Sequence, residues 1–325
     1  MNIESISPEY YTLKEFKFNN GKVLENQTVE YMTMGTPQYD DEGHITNAII
    51  YFHGTSGNYG SIKRIGVALG ENLPFDTNKF FFVSLSTLGT PGSSSPSTSK
   101  LNSDYPEYTI LDMVNFNKKF LDECLNIVSP LGLIGNSMGG FEAVTWAAVY
   151  PDDISFLISL VSSYKVGGQN YVLSKVMNDI ITSDKDFNNK KVTGDLKRAL
   201  ELSSKAMYSF GLSRQFYMDQ STSDIDKYMD EFAMEDSQED VLDAYYRNNA
   251  SMNYLTDIIS NITAKTLIIG IYEDQYFPPE LDAIPMHTLI KDSTLVCFNS
   301  YLGHVGSSQL DKIHDELEDF LASFK

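Results

Sequence analysis

The sequence is poor in cysteine, and long apolar runs are missing. Its two cysteines, Cys124 and Cys297, lie in stretches that read as a helix and a strand. They indicate small buried side chains, and they exclude a disulfide framework and a zinc site built on CxxC pairs. No apolar run approaches the roughly 18 residues that a membrane-spanning helix needs. We therefore expect no association with membranes.

Positive charge is also scarce. Lysine and arginine number 24 against 44 aspartates and glutamates, which gives a net charge of −20. Such a polyanion repels nucleic acid and anionic membrane surfaces, so neither is expected as a partner. The first residues, MNIESISPEYY, lack the basic and apolar regions of a signal peptide. We expect a cytoplasmic protein, with a mature extracellular form as the alternative.

Motifs for nucleotide and metal chemistry are absent as well. No GxGxxG follows a strand and no GxxxxGK[ST] occurs, so the sequence predicts no phosphate-binding loop for a nucleotide cofactor. No histidine pair has HExxH spacing, which argues against zinc hydrolysis. We predict a protein without a resident cofactor or metal that acts on a small molecule.

Short apolar runs bounded by turn residues recur along the chain. Each is almost continuously apolar, which is typical of strands buried on both faces of a parallel sheet. Helix-like segments separate them, and this alternation predicts a doubly wound α/β fold with a mostly parallel central sheet and helices on both faces. Two polar-alternating stretches, KEFKFNN and NQTVEYMTMG, predict an antiparallel hairpin before the first run. The six runs begin at Asn47, Lys79, Leu131, Ile154, Lys265 and Ser293.

The alternation is interrupted once, from about residue 164 to residue 262. This segment is helix-like, and it is far too long for a helix-to-strand connection of about 2–6 residues. We interpret residues 164–262 as a helical cap inserted into a core formed by residues 1–163 and 263–325. Between Asp219 and Asp243 it holds ten acidic residues against one lysine. These indicate solvated helix faces or, alternatively, a cap that disfavours anionic ligands at the mouth of a pocket.

The stretch LIGNSMGGFEAV carries the main chemical signal. Gly135 to Gly139 fits G-x-S-x-G, between the apolar run LGLIG and the helical segment FEAVTWAAVY. A sharp turn from strand to helix projects the serine hydroxyl, and the helix N-terminus supplies amides for a developing oxyanion. Ser137 is therefore the candidate nucleophile.

A serine nucleophile needs a histidine base. In α/β-hydrolases the acid and then the histidine follow the serine, which removes His44 and His53. His287 and His314 read as helix residues. His304 lies in the glycine-flanked loop YLGHVGSS after the last apolar run, where an open sheet places its site. It is the predicted base.

The acid that orients the base should end the preceding strand. Glu273 and Asp274 are both candidates there, and alternation together with the following QYFPP turn favours Asp274. Glu273 is then a solvated or supporting carboxylate. The oxyanion hole needs two backbone donors, for which we predict the amides of Met138 and of Thr55 in the turn YFHGTSGN.

These segments together resemble the homoserine O-acetyltransferase group of α/β-hydrolases. IGNSMGGFEAVTWAAVYPD is similar to that group's nucleophile segment, and LSTLGTPGSSSPSTS and YTILDMVNFNKKFLD are similar to its loop and helix start. DQYFPPE and GHVGSS match the acid and histidine segments, which supports Asp274 and His304. The resemblance runs from about Val29 to the C-terminus. It implies an α/β-hydrolase fold with a cap, a ping-pong reaction through an acyl-serine and, as one option, a homodimer packed through the cap.

The resemblance has two departures, both relevant to substrate binding. Homoserine-specific members carry an arginine, thought to hold the substrate carboxylate, seven residues before a Thr-Tyr pair in a cap helix. The closest match here is RALELSSKAMYS, with Tyr208 as the tyrosine and Glu201 in the arginine's place. Arg198 lies one helical turn away and could substitute. Val305 follows His304 where the group has an aspartate.

Three functions are consistent with these residues. The first is a serine hydrolase that cleaves small carboxylic esters, with water resolving the acyl-serine. The alternative is an O-acetyltransferase that moves acetyl from acetyl-CoA, as co-substrate, to homoserine or a similar alcohol. The third is an inactive binding protein on this fold, which the filled triad positions argue against. The acyl-chain length and the acyl acceptor stay open.

Overall fold

A computed structural model describes residues 7–236 and 238–324. Its strands pair in two sheets, an eight-stranded sheet in the order β1-β2-β4-β3-β5-β6-β9-β10 and the separate hairpin β7-β8. The strands are β1 Glu9–Lys17, β2 Val23–Met34, β3 Ala48–Phe52, β4 Phe81–Leu85, β5 Gly132–Asn136, β6 Phe156–Leu160, β7 Phe187–Asn188, β8 Lys191–Val192, β9 Lys265–Ile271 and β10 Ser293–Phe298.

Helices connect most of the strands of the large sheet. They are α1 Ile110–Leu125, α2 Met138–Val149, α3 Gly168–Thr182, α4 Lys197–Gly211, α5 Arg214–Asp219, α6 Thr222–Asp236, α7 Val241–Met252, α8 Ala283–Leu289 and α9 His314–Leu321. Two 3₁₀ segments, Tyr59–Ala68 and Gly303–Ser308, matter for the site. No helix within the described part of the chain is long and apolar enough to cross a membrane.

The predicted fold class is confirmed. Each of the six apolar runs forms a strand, and these six strands pair in parallel. The predicted N-terminal hairpin is β1 and β2, and β2 pairs with β4 in antiparallel fashion. Every residue of β3 and β5 is buried, because these strands lie in the middle of the sheet with helices above and below.

The core has one layer on each face of the sheet. Ile50 and Phe52 of β3 point to one face and pack with residues of α1 and α2. Ile49 and Tyr51 point to the other face and pack with the segment Tyr59–Ala68 and with α9. Successive side chains of a strand alternate between faces, so a single continuously apolar strand supplies both layers.

The residues between β6 and β9 follow a different pattern. They carry the helices α3 to α7 and the short hairpin β7-β8, which the sequence did not predict because each strand has two residues. Asp224, Asp230 and Glu231 of α6 are exposed, which fits solvated helix faces. The division of the chain into a core and a cap at residues 164 and 262 stays a prediction.

The two cysteines are less buried than predicted. Cys124 and Cys297 are free thiols of intermediate exposure. Cys124 lies in the last turn of α1, and its Sγ is 3.6 Å from the hydroxyl of Tyr31. Cys297 lies on β10, the last strand of the sheet, which has a neighbour on one side only.

Candidate active site

The turn at Ser137 joins β5 directly to α2. Ser137 has a φ of 54°, a left-handed conformation that is strained for a residue with a side chain. Neighbouring backbone holds it there: the Ser137 amide donates to the carbonyl of Leu160 at 3.0 Å. The Ser137 carbonyl accepts a hydrogen bond of 2.7 Å from the hydroxyl of Ser162. The end of β6 therefore fixes the turn, and the serine side chain is left to project toward the sheet edge.

Ser137, His304 and Asp274 form one hydrogen-bonded series. The Nε2 of His304 lies 3.0 Å from the Oγ of Ser137, and its Nδ1 lies 2.7 Å from Oδ2 of Asp274. The other oxygen of Asp274 accepts from the amides of Tyr276 at 2.8 Å and Phe277 at 3.1 Å. Because the buried carboxylate accepts, Nδ1 carries the proton and Nε2 is free to accept from the serine hydroxyl.

The loop that carries His304 is held by contacts on both sides. Glu273 lies beside Asp274 in the chain, yet its carboxylate accepts from the Ser300 amide at 2.7 Å and does not reach the histidine. Gly303 has a φ of +58°, and a Cβ there would lie 2.6 Å from the backbone nitrogen of Ser213. The loop therefore needs glycine at this position, and the segment before α5 packs directly on it.

The two predicted oxyanion donors lie on turns that meet beside Ser137. Thr55 and Met138 both line the cavity in front of the serine. Met138 begins α2, so its amide is among those that have no acceptor within the helix. A Cβ on Gly54 would lie 3.5 Å from the Cβ of Ser137, and one on Gly139 would collide with the backbone that ends β3. This close approach places the turn of Thr55 next to the start of α2, and the role of the two amides stays a prediction.

His53 supports the oxyanion turn from behind. Its ring is fully buried, Nδ1 lies 2.7 Å from the Gly54 carbonyl, and Nε2 lies 3.2 Å from the Thr87 amide. Nδ1 therefore donates and Nε2 accepts, which requires a neutral ring. Burial lowers the pKa of His53 to about 4, in agreement with this hydrogen bonding.

Beneath the nucleophile, a buried carboxyl group joins three elements. Oε2 of Glu142, on α2, accepts from the hydroxyl of Thr87 and from the side-chain amide of Asn117, each at 2.7 Å. Burial raises the pKa of Glu142 to about 8, so the group is mostly neutral at pH 7. The sequence analysis missed this network, although an acid within the apolar helix FEAVTWAAV was a signal for it.

A cavity of about 270 Å³ opens in front of Ser137. Leu173 and Met177 of α3, Met207 of α4 and Phe232 of α6 give it apolar walls on the side of the helical segment. Among the described residues that line it, Arg64 alone carries a permanent charge. The cavity has the volume of a small molecule, and its surface is mainly apolar near the helices.

The predicted substrate-binding residues Arg198, Glu201 and Tyr208 are not among the described residues that line this cavity. Arg198 pairs with Glu201 at 3.2 Å, and its side chain is 67% exposed. Tyr208 is buried against the rings of Tyr217 and Phe232. The reason is the rotation of α4, because a different face of this helix, which includes Met207, turns toward Ser137.

Comparison with known proteins identifies the family. The family model described as alpha/beta hydrolase fold matches residues 47–301. The chain belongs to the α/β-hydrolase fold family. A protein of Methanothermobacter thermautotrophicus named probable acyltransferase is 43% identical over 320 residues, which cover 98% of this chain and 99% of that protein. The chain is thus an enzyme of the α/β-hydrolase superfamily.

The resemblance to homoserine O-acetyltransferases is confirmed at lower identity. A homoserine O-acetyltransferase of Methanohalobium evestigatum is 25% identical over 328 residues, covering 86% of this chain. The match spans 65% of that relative's length. The crystal structure of esterase E22 superimposes with a TM-score of 0.85 at 23% identity, covering 97% of this chain and 100% of that one, and shows the shared fold. Acyltransferases and esterases thus both occur among the proteins that this α/β-hydrolase resembles.

Proposed function

We propose that this α/β-hydrolase cleaves small carboxylic esters through an acyl-serine at Ser137. The observation that carries the proposal is the hydrogen-bonded series from Asp274 through His304 to Ser137, which opens on a cavity. Both distances lie within the range in which a base takes a proton from a nucleophile.

Acylation begins when Oγ of Ser137 attacks the ester carbonyl carbon and Nε2 of His304 takes the hydroxyl proton. The amides of Thr55 and Met138 stabilise the negative charge that develops on the carbonyl oxygen. The bond to the alcohol oxygen breaks, His304 returns its proton to that oxygen, and the alcohol leaves. Asp274 keeps the imidazole oriented and stabilises its charged form.

Deacylation repeats these steps with water. His304 takes a proton from water, the hydroxide attacks the acyl-serine, and the carboxylic acid leaves as Ser137 regains its proton. The residues expected to recognise homoserine support water as the acceptor, because Arg198 is paired outside the cavity and Val305 replaces an aspartate. The exposed acids of α6 also disfavour the polyanionic nucleotide of acetyl-CoA.

The second candidate is an O-acyltransferase with acetyl-CoA as co-substrate and homoserine or a similar alcohol as acceptor. The relative named probable acyltransferase, 43% identical over almost the whole chain, favours it. The chemistry up to the acyl-serine is the same. The two candidates differ only in the molecule that accepts the acyl group from Ser137, which is water in the first and an alcohol in the second.

Purified protein assayed with 4-nitrophenyl acetate tests the proposal. We expect nitrophenol release that falls at least about 1,000-fold in Ser137→Ala, with labelling by a fluorophosphonate probe lost. Ser174→Ala, which changes another serine of the cavity wall, should retain activity. An unlabelled, inactive wild type would sink the proposal and revive the binding-protein alternative.

A second assay separates the two candidates. Acetyl-CoA is supplied with and without homoserine, and free thiol is followed. Hydrolysis predicts the same slow thiol release in both cases. Acceleration by homoserine would replace the first candidate with the second.

A further inference from the structure

The charge inside the cavity is opposite to the charge of the protein. The chain carries a net charge of −20, and its acids crowd the surface of α6. Among the described residues that line the cavity there is no aspartate or glutamate, and Arg64 supplies the one permanent charge. A cation kept in a substrate cavity of so acidic a protein points to an anionic group on the substrate.

Arg64 has no carboxylate partner among the described residues. Its Nη1 makes two long contacts, 3.4 Å to the Val305 carbonyl and 3.5 Å to the hydroxyl of Ser307. The other donors of its guanidinium have no hydrogen-bond partner within the described part of the chain. The remaining arginines are engaged elsewhere, since Arg198 pairs with Glu201, Arg247 with Glu239, and Arg214 contacts Gln275. Arg64 therefore offers an unused pair of donors of the kind that binds a carboxylate in bidentate fashion.

The position of Arg64 identifies the part of the substrate that it faces. Its two contacts, Val305 and Ser307, follow His304 on the same loop. The Nε2 of His304 must deliver its proton to the alcohol oxygen of the ester, so the alcohol portion lies on this side. The acyl portion then lies against the apolar side chains of the helices between β6 and β9, which include Leu173 and Met177.

We propose that Arg64 binds a carboxylate on the alcohol portion of the substrate, so that the enzyme acts on acyl esters of small hydroxy acids. The turnover of such esters rests on the proposed acyl-serine function. Because no acidic side chain lines the described cavity, an ammonium group on the same alcohol has no counter-charge. The favoured alcohol is therefore a hydroxy acid without an amino group. Hydrolysis releases it with the proton from His304.

A matched pair of esters tests this specificity. The anionic substrate is 3-acetoxybutyrate and the neutral one is 3-acetoxybutyramide, both assayed at one fixed ionic strength. We expect the wild type to prefer the anionic ester by about 10- to 100-fold in kcat/KM, as for hydrogen bonds to charged groups. Arg64→Met should abolish the preference, because turnover of the anionic ester falls far more than turnover of the neutral one. Lys63→Met removes an exposed positive charge from the adjacent residue and should keep the preference.

Two results would overturn the assignment of Arg64. One is a wild type that treats both esters alike, and the other is a preference that survives in Arg64→Met. An equal loss on both esters in Arg64→Met is one form of the second result, and it would assign the residue a structural role.

A binding experiment keeps this inference separate from the proposed function. Calorimetry measures 3-hydroxybutyrate on Ser137→Ala and on the double variant that also carries Arg64→Met. At least tenfold weaker binding by the double variant supports the anion site even if neither ester is turned over. Equal binding overturns it, whatever the fate of the hydrolysis proposal.

Discussion

The carboxyl edge of the large sheet and the helical segment between β6 and β9 use their residues in different ways. At the sheet edge, Asp274 accepts from two backbone amides and Ser137 is held by the end of β6. In the helical segment, apolar side chains line the cavity together with asparagines and serines, and most charged side chains face water, with Asp243 and Arg247 as buried exceptions. We therefore expect the backbone of the strands to determine the chemistry, and helix rotation and loop packing to determine the substrate.

The two regions meet at a small number of buried polar contacts. Asp243 of α7 accepts from the hydroxyl of Ser95 at 2.9 Å and from the amide of Ser97 at 2.9 Å, on the loop after β4. The Tyr276 hydroxyl, beside the triad, donates to the Met207 carbonyl of α4. Such contacts orient the helices over the site. Substitutions on either side of them therefore test how the sheet edge and the helical segment differ.

The largest effect is expected from the acid of the triad. Asp274→Asn removes the charge that orients and stabilises His304, and we expect kcat on 4-nitrophenyl acetate to fall about 10⁴-fold. Glu273→Gln is the matched control, because this adjacent carboxylate contacts the Ser300 amide and not the histidine. It should cost less than about tenfold, as expected for a supporting contact. Equal losses in the two variants would contradict the assignment of the acid.

A loss of one to two orders of magnitude is expected where the regions touch. In Gly303→Ala the new Cβ lies 2.6 Å from the Ser213 nitrogen, and the residue must keep a φ of +58°. The loop has to shift, and a displacement of His304 by about 1 Å costs on the order of 100-fold in rate. Gly167→Ala is the control, because a Cβ on this glycine of the helical segment would meet no atom within 4 Å. It should leave the rate unchanged. Wild-type kinetics in Gly303→Ala would show that the loop tolerates the shift.

Much of the sheet edge could be predicted from the sequence because its signals are local. The helix start in YTILDMVNFNKKFLD becomes α1, since Thr109 and Asp112 cap each other's backbone amides. Each apolar run became a strand, as is typical of a sheet covered on both faces, although β10 at the edge of the sheet is only partly buried. The chain order of acid and histidine then indicated Asp274 and His304, which the structure brings to Ser137.

The substrate residues could not be predicted in this way. The sequence placed Arg198 and Glu201 on a cap helix, but the helical period does not reveal which of two polar faces turns inward. Arg64 lies more than seventy positions before Ser137 in a 3₁₀ segment, and only tertiary packing brings it to the cavity. The Glu142 network also depends on contacts among the loop after β4, α1 and α2 that no single segment encodes.

A smaller effect, on stability, is expected from Glu142. Its pKa is raised from an ordinary value near 4.5 to about 8, so the folded protein holds a proton that the unfolded chain releases above pH 5. Stability therefore falls as the pH rises from about 5 to 8. Glu142→Gln removes the contribution of this carboxyl to the decrease, so the variant should gain on the order of 4 kcal/mol relative to wild type by pH 8.

Urea unfolding of both proteins at pH 5 and pH 8 measures this difference. At pH 5 the two should differ little. Glu123→Gln is the control, because Glu123 is on the surface of α1 beside Lys119 and should show no such pH dependence. A difference between wild type and Glu142→Gln that does not change with pH would show that Glu142 keeps its ordinary pKa.

The smallest effect is expected from the arginine that the sequence favoured. Arg198→Gln breaks an exposed pair with Glu201, and such surface pairs contribute about 0.5 kcal/mol or less. Turnover of both the anionic and the neutral ester should stay within about twofold of wild type, in contrast to Arg64→Met. Chemical unfolding and the two-ester assay measure both quantities. A selective loss of turnover of the anionic ester in Arg198→Gln would mean that α4 turns this face toward the substrate. The helical segment would then select the alcohol together with the loop of His304.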